Sequence, residues 1–296
     1  MKKSIKLVFF SIAIFFFASF LLLLGGSFLL YKGVTTDLDI ELTYFETMEI
    51  WLNRNAEKES VKEVKETYLQ EDYHHVSIYY KEDFQDLLPI TRETLDLAFA
   101  KTEALFGKIS YEPVDFILVE DGVELAKISG KEDLGGFYTE IDRVFAIQYY
   151  DKELILERDE FPLYIFQEII LHEYTHYAFA RKTHELEKYP EWFTEGVAEY
   201  VTDEGWGASI HAFELIPFAQ LITQEQWEEA KTMAGTDNYA QSYYAVKYLI
   251  DEYGVGVISE IMDSVNKTKD FEQSFKKITG LTISELEKVN LETQKY

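Results

Sequence analysis

The chain has 296 residues, 47% hydrophobic and 16% aromatic, which is too apolar for a disordered protein and enough for a sizeable core. With 54 acidic against 28 basic residues its formal charge is −26, which repels phosphate and excludes nucleic acid as a partner. There is no cysteine, so disulfides, thiolate metal sites and a lipid-modified cysteine are excluded, and any metal must rest on histidine and carboxylate.

Residues 1–6 carry Lys2, Lys3 and Lys6, and residues 7–31 form an apolar run broken only by Ser and by Gly25-Gly26. At about 1.5 Å per helical residue such a run crosses a hydrocarbon layer of about 30 Å. A cleaved signal peptide has a shorter apolar core, about 7–15 residues, and a small-residue cleavage site that is not evident here. Asp37, Asp39, Glu41 and Glu46 follow the run. The expectation is therefore a single-pass transmembrane anchor in the cell membrane, N-terminus inside and the remainder outside.

Residues 32–74 read as a juxtamembrane helical segment, with mixed charge and helically spaced apolar residues over 57–66. A sheet-containing part is expected over 75–180. It holds a strand at 76–80, a helix at 91–106 ended by Gly107, and a strand at 114–120. Gly135-Gly136-Phe137-Tyr138, a turn at Asp142-Arg143 and residues 144–150 predict a β-hairpin. From Asp159, a suitable N-cap with Pro162 in the first turn, the pattern is helical. Ile165, Ile169, His172 and His176 share one stripe, predicted to face inward. Residues 181–296 form a helical part. A charged loop at 181–189 and a helix opened by Pro190 come first, with further helices over 223–231, 239–253, 255–265 and 283–291. The fold class predicted is α+β, a small mixed sheet followed by helices.

His172-Glu173-Tyr174-Thr175-His176 puts two imidazoles one helical turn apart on one face, with a carboxylate beside the first. Eighteen residues later, Trp192-Phe193-Thr194-Glu195-Gly196-Val197-Ala198-Glu199-Tyr200 offers a third ligand on a separate helix. Two histidines and a glutamate leave a fourth position for water, as a catalytic Zn2+ site requires. His172, His176 and Glu195 are thus the predicted metal ligands, and Glu173 the general base that activates the water. Glu199, on the face of Glu195, is predicted to accept the ring N–H of a ligand histidine; the bland alternative is a solvated surface carboxylate. Gly196 and Ala198 are small enough to let this helix approach the histidine-bearing one. His74, His75, His184 and His211 fit no pattern and read as surface or local packing.

His172 to His176 with Glu195 resembles the gluzincin metallopeptidases, with the eighteen-residue spacing of the aminopeptidase N-like members. The sequence Glu191 to Tyr200 is also similar to bacterial collagenase-type and peptidase MA-like domains. The resemblance implies a thermolysin-like catalytic domain with a sheet-containing upper subdomain, a helical lower one and a cleft between. It also implies a tyrosine that hydrogen-bonds the tetrahedral intermediate. Asn238-Tyr239-Ala240-Gln241 is similar to the Y-x-K-G helix start of those enzymes and maps the role onto Tyr239, with Tyr243 next and simple packing as the rival. Gly135, Gly136, Phe137 and Tyr138 stand where such enzymes carry a G-x-M-E-N strand, implying main-chain binding of an extended peptide. A glycine turn with φ > 0 is the plain alternative. Tyr138 replaces the glutamate that holds a free amine, which points to an endopeptidase. The function expected is a membrane-anchored zinc metallopeptidase acting on peptide or protein substrates. A catalytically silent binding or scaffold protein and hydrolysis of a non-peptide substrate remain as alternatives.

Overall fold

The computed structural model describes residues 19, 23–29, 31–32, 44–45, 58–183, 185–203 and 213–293. The chain divides into two compact units, Met1–Glu63 and Val64–Tyr296. In the first, residues 19, 23–29, 31–32 and 44–45 are helical. Among the described residues no helix is long and apolar enough to cross a membrane. The transmembrane anchor expected over 7–31, and the single-pass cell-membrane placement drawn from it, are corrected accordingly. Residues 7–18, 20–22 and 30 lie outside the described residues.

The second unit begins in helix α1 (Glu59–Thr67) and builds one five-stranded sheet from β1 (Leu69–Tyr73), β2 (Val76–Tyr80), β3 (Val114–Val119), β4 (Gly136–Thr139) and β5 (Val144–Gln148). The strand order is β1-β2-β3-β5-β4; the outer pairs are antiparallel and the β2-β3 and β3-β5 pairs parallel. Central strands buried on both faces read as continuous apolar runs, as Phe116-Ile117-Leu118-Val119 and Val144-Phe145-Ala146-Ile147 do. Phe116 and Phe145 are in register and stack at 4.3 Å. β1 is a strand that the sequence reading did not pick out. Its residues Leu-Gln-Glu-Asp-Tyr are mostly polar and largely exposed, as suits a sheet edge.

Helix α2 (Leu88–Phe106) stops at Gly107, which adopts φ 71°, a conformation glycine reaches without strain. Three short helices were also not foreseen: α3 (Gly122–Ser129), N-capped by the Asp121 side chain, α4 (Lys152–Leu156), and one over Phe271–Thr279. Each is shorter than the window in which helical periodicity becomes readable. The long helix α5 (Glu160–Thr183) follows, with Glu160 in its first turn and Arg181 and Lys182 in its last, matching the helix dipole. Its core-facing stripe is Phe166, Ile170, Tyr174, Tyr177, Ala178 and Arg181, all buried. The chain then continues through α6 (Glu191–Thr202), α7 (Gln224–Lys231), α8 (Asn238–Tyr253), α9 (Val257–Thr268), α10 (Phe271–Thr279) and α11 (Ile283–Thr293).

Arg181, expected in an exposed charged loop, is instead in the last turn of α5 with a side chain only 2% exposed. It pairs with Glu112 at 2.9 Å and with Glu140, just beyond β4. His75 packs locally, stacking on Tyr111 at 4.4 Å with Nε2 2.8 Å from the Tyr174 hydroxyl. His74 is exposed in the β1–β2 turn. His184 and His211 lie outside the described residues.

Candidate metal centre

Helix α5 carries His172 and His176 on the face four residues apart, and their Nε2 atoms approach to 3.0 Å. Helix α6 lies across α5 and brings Glu195 to both rings, Oε2 3.3 Å from His172 Nε2 and Oε1 3.5 Å from His176 Nε2. His172, His176 and Glu195 are the group among the described residues that could hold a metal ion, with ligand atoms within 4.8 Å of one another. Two nitrogens bound tetrahedrally at about 2.0–2.1 Å would lie about 3.3 Å apart, so the imidazoles need almost no rearrangement to share an ion. The donor set, two imidazole nitrogens and one carboxylate, fits a borderline cation such as zinc.

On the other edge of the His172 ring, Nδ1 is 3.1 Å from Glu199 Oε1. An N–H at Nδ1 donated to Glu199 leaves the Nε2 lone pair free for a ligand. Burial disfavours the imidazolium of His172, but Glu195 and Glu199 outweigh it and raise its pKa. Burial takes His176 down to about 4. In Glu195 burial is overcome by the two histidines, and its carboxyl is held below the usual range. The centre is therefore built to gather positive charge.

Glu173, next to His172 on α5, is 7% exposed and has no hydrogen bond to any described residue. Burial, with Glu195 adding, pushes its carboxyl up to about 8, although His172 opposes the shift. Gly136 of β4 lies directly over it. A Cβ at Gly136 would sit 2.7 Å from Ile169 Cγ2, 2.9 Å from Glu173 Cγ and 3.0 Å from Glu173 Oε1. Gly136 therefore serves close approach, whereas a Cβ at Gly135 would make only an ordinary contact with Ile169 Cδ1 at 3.4 Å, and neither has the positive φ of the plain-turn alternative. Phe137 and Tyr138 are half-buried, and the Tyr138 hydroxyl donates to Glu140, which also binds Arg181.

Tyr239, at the start of α8, has its ring centroid 6.4 Å from that of His172 and 5.0 Å edge-on from Trp227. Burial, Glu195 and Glu199 raise its pKa, so it stays a protonated donor. Tyr243 instead donates to Asp203. Gly196 was expected to let α6 approach α5, but the helix it admits is α8. An added Cβ would lie 2.8 Å from the Ser242 carbonyl carbon and 2.9 Å from Val246 Cγ2.

The stripe Ile165, Ile169, His172 and His176 is partly buried, with the His172 and His176 side chains 15% and 20% exposed and Ile169 packed on the core, so it faces inward as the sequence pattern predicted. Two carboxylates escaped notice in the sequence. Glu168, one turn before His172, is pushed up to about 7 by burial and Glu199, and Glu191, one turn before Glu195, reaches about 7 by burial and Glu195. Their i−4 spacing from the ligands was the available signal.

No family model matches the chain. A solved structure of an aminopeptidase N family protein from Idiomarina loihiensis is similar at TM-score 0.48 and 18% identity, over 75% of this chain and 46% of that one. The chain thus spans less than half of that protein's length, and the likeness carries no part of the reasoning below. The chain is also 34% identical over 223 residues to the uncharacterized protein YhcO of Bacillus subtilis (strain 168), over 74% of this chain and 69% of YhcO. On that identity and coverage, it belongs to the same family as YhcO.

Proposed function

We propose that the protein is a zinc-dependent metallopeptidase, an endopeptidase of gluzincin type. The observation that carries this reading is the convergence of His172, His176 and Glu195 beside a buried carboxylate, Glu173, that has no other described partner. His172, His176 and Glu195 would hold the ion, and Glu199 orients the His172 ring through Nδ1. When bound, zinc supplies Lewis acidity, lowering the pKa of water towards about 7 and polarising a substrate carbonyl.

The rest of the chemistry falls to the chain's own side chains. Glu173 takes the proton of the attacking water and passes it to the leaving amine. The Tyr239 phenol donates to the oxygen on which negative charge develops. Among the described residues β4 pairs only with β5, which leaves its outer edge, from Gly136 to Thr139, to take an extended peptide as a further strand. Gly136 sits over Glu173, so a peptide on that edge passes across the general base.

The test combines metal analysis of the purified protein with a peptide library, for the wild type, Glu173→Gln and His176→Ala. One zinc per chain, lost in His176→Ala and kept in Glu173→Gln, is expected, with cleavage only by the wild type. Cleavage undiminished in Glu173→Gln, or no zinc uptake by the wild type, refutes the reading.

A further inference from the structure

Beside the metal centre lies a cavity of about 770 Å³, formed by the N-terminal half of α5, the end of α6 and the start of α8. Glu199 and Tyr239 belong both to its wall and to the surroundings of His172, so it opens next to the proposed chemistry. Its lining has one sign of charge. Asp159, Glu160, Glu168, Glu199, Asp203 and Asp237 contribute carboxylates, and among the described residues no lysine, arginine or histidine lines it.

Three of these carboxylates are already engaged. Glu199 faces His172, Asp203 accepts from Tyr243, and Asp237 caps α8 through the Ala240 N–H at 2.9 Å. Asp159, Glu160 and Glu168 have no side-chain hydrogen bond or ion pair among the described residues. The acids do not converge on a second ion: among the described residues, metal-binding geometry is met by His172, His176 and Glu195. Spread charge of this kind suits an organic cation on a long stem. The apolar part of the wall suits the stem, since Ile165 and Tyr164 line the cavity and Phe161 at its edge is 70% exposed. An aromatic face left open to solvent beside unpaired carboxylates can take both methylenes and a cationic head.

We propose that this cavity is the subsite for a lysine or arginine side chain of the peptide substrate, close to the bond cleaved. The proposal rests on the peptidase reading above and deepens it. The cation enters the cavity along Phe161 and Ile165 and meets Glu168, which lies deepest of the unpaired acids and is half-buried.

The experiment uses N-acetylated, C-amidated peptides, so that a side chain is the sole cation, with lysine, norleucine or glutamate placed at each position in turn. Cleavage rates and equilibrium binding by fluorescence polarisation are both measured for wild type and Glu168→Gln. Lysine is expected to exceed norleucine by about tenfold at one position, in line with a charge-assisted contact, and Glu168→Gln to remove most of that factor while zinc content stays unchanged. Glu168→Lys should shift the preference towards glutamate. Equal handling of lysine and norleucine by an active enzyme overturns the subsite and leaves the peptidase reading intact. Lysine-selective binding without cleavage keeps the subsite and sinks the peptidase reading. Neither binding nor cleavage of any peptide overturns both.

Discussion

Replacing Gly196 by alanine tests the packing of α6, which carries Glu195, against α8. In a solvated helix this change stabilises, because alanine has about 1 kcal/mol the better helix propensity. Here the new methyl would meet the Ser242 carbonyl carbon at 2.8 Å and Val246 Cγ2 at 2.9 Å. Val246 can rotate, but the Ser242 carbonyl belongs to the backbone of α8, and both helices are tightly buried at this point. Overpacking of this kind costs about 1–3 kcal/mol, and a backbone obstacle places it at the upper end. After the propensity gain, a net loss of about 1–2 kcal/mol remains, or about 2–8 °C in Tm for a unit of this size. Differential scanning calorimetry of the metal-free proteins measures it. Glu195 precedes Gly196 in the chain, so parting α6 from α8 also moves a ligand, and zinc affinity should fall alongside Tm. A Gly196→Ala protein as stable as the wild type, or more so, would refute the close approach of α6 and α8.

Glu199→Ala should weaken zinc binding about 10–100-fold in a chelator competition, because the His172 ring loses the acceptor at Nδ1; Glu199→Gln, which keeps an oxygen there, should lose less. Unchanged affinity in Glu199→Ala would make that carboxylate a bystander. For His75, burial lowers the pKa to about 4, below its unfolded value of about 6.5. Between those values the unfolded chain binds more protons, so stability rises with pH across about 4 to 6.5 and is lost on acidification. His75→Phe should flatten that part of the urea-midpoint profile, and an identical slope in both proteins would show that the ring titrates normally.

Much of the site was legible because its geometry is local. His172, Glu173 and His176 occupy one stretch of a single helix, where spacing in sequence converts directly into spacing on a face. The parallel strands β3 and β5 were readable from their apolar runs, and α2 from its length and its glycine stop. The mostly polar strand β1 and short helices such as α4 carried too little periodicity to stand out from turns. The apolar run at 7–31 shows the opposite failure. Hydropathy measures how a segment partitions, and among the described residues no helix is long and apolar enough to cross a membrane.

By itself, then, the sequence determined which chemistry was available: two imidazoles and a carboxylate one turn apart, a second carboxylate-bearing helix, and no thiol. The tertiary structure alone decided the rest. It packed Gly136 on Glu173 and Gly196 on α8, and buried Arg181 between Glu112 and Glu140. It also gathered six carboxylates, from α5, α6 and the residues flanking α5, α6 and α8, around one cavity. These are contacts between segments far apart in the chain, set by how helices and strands pack against one another, and no periodicity within a segment encodes them.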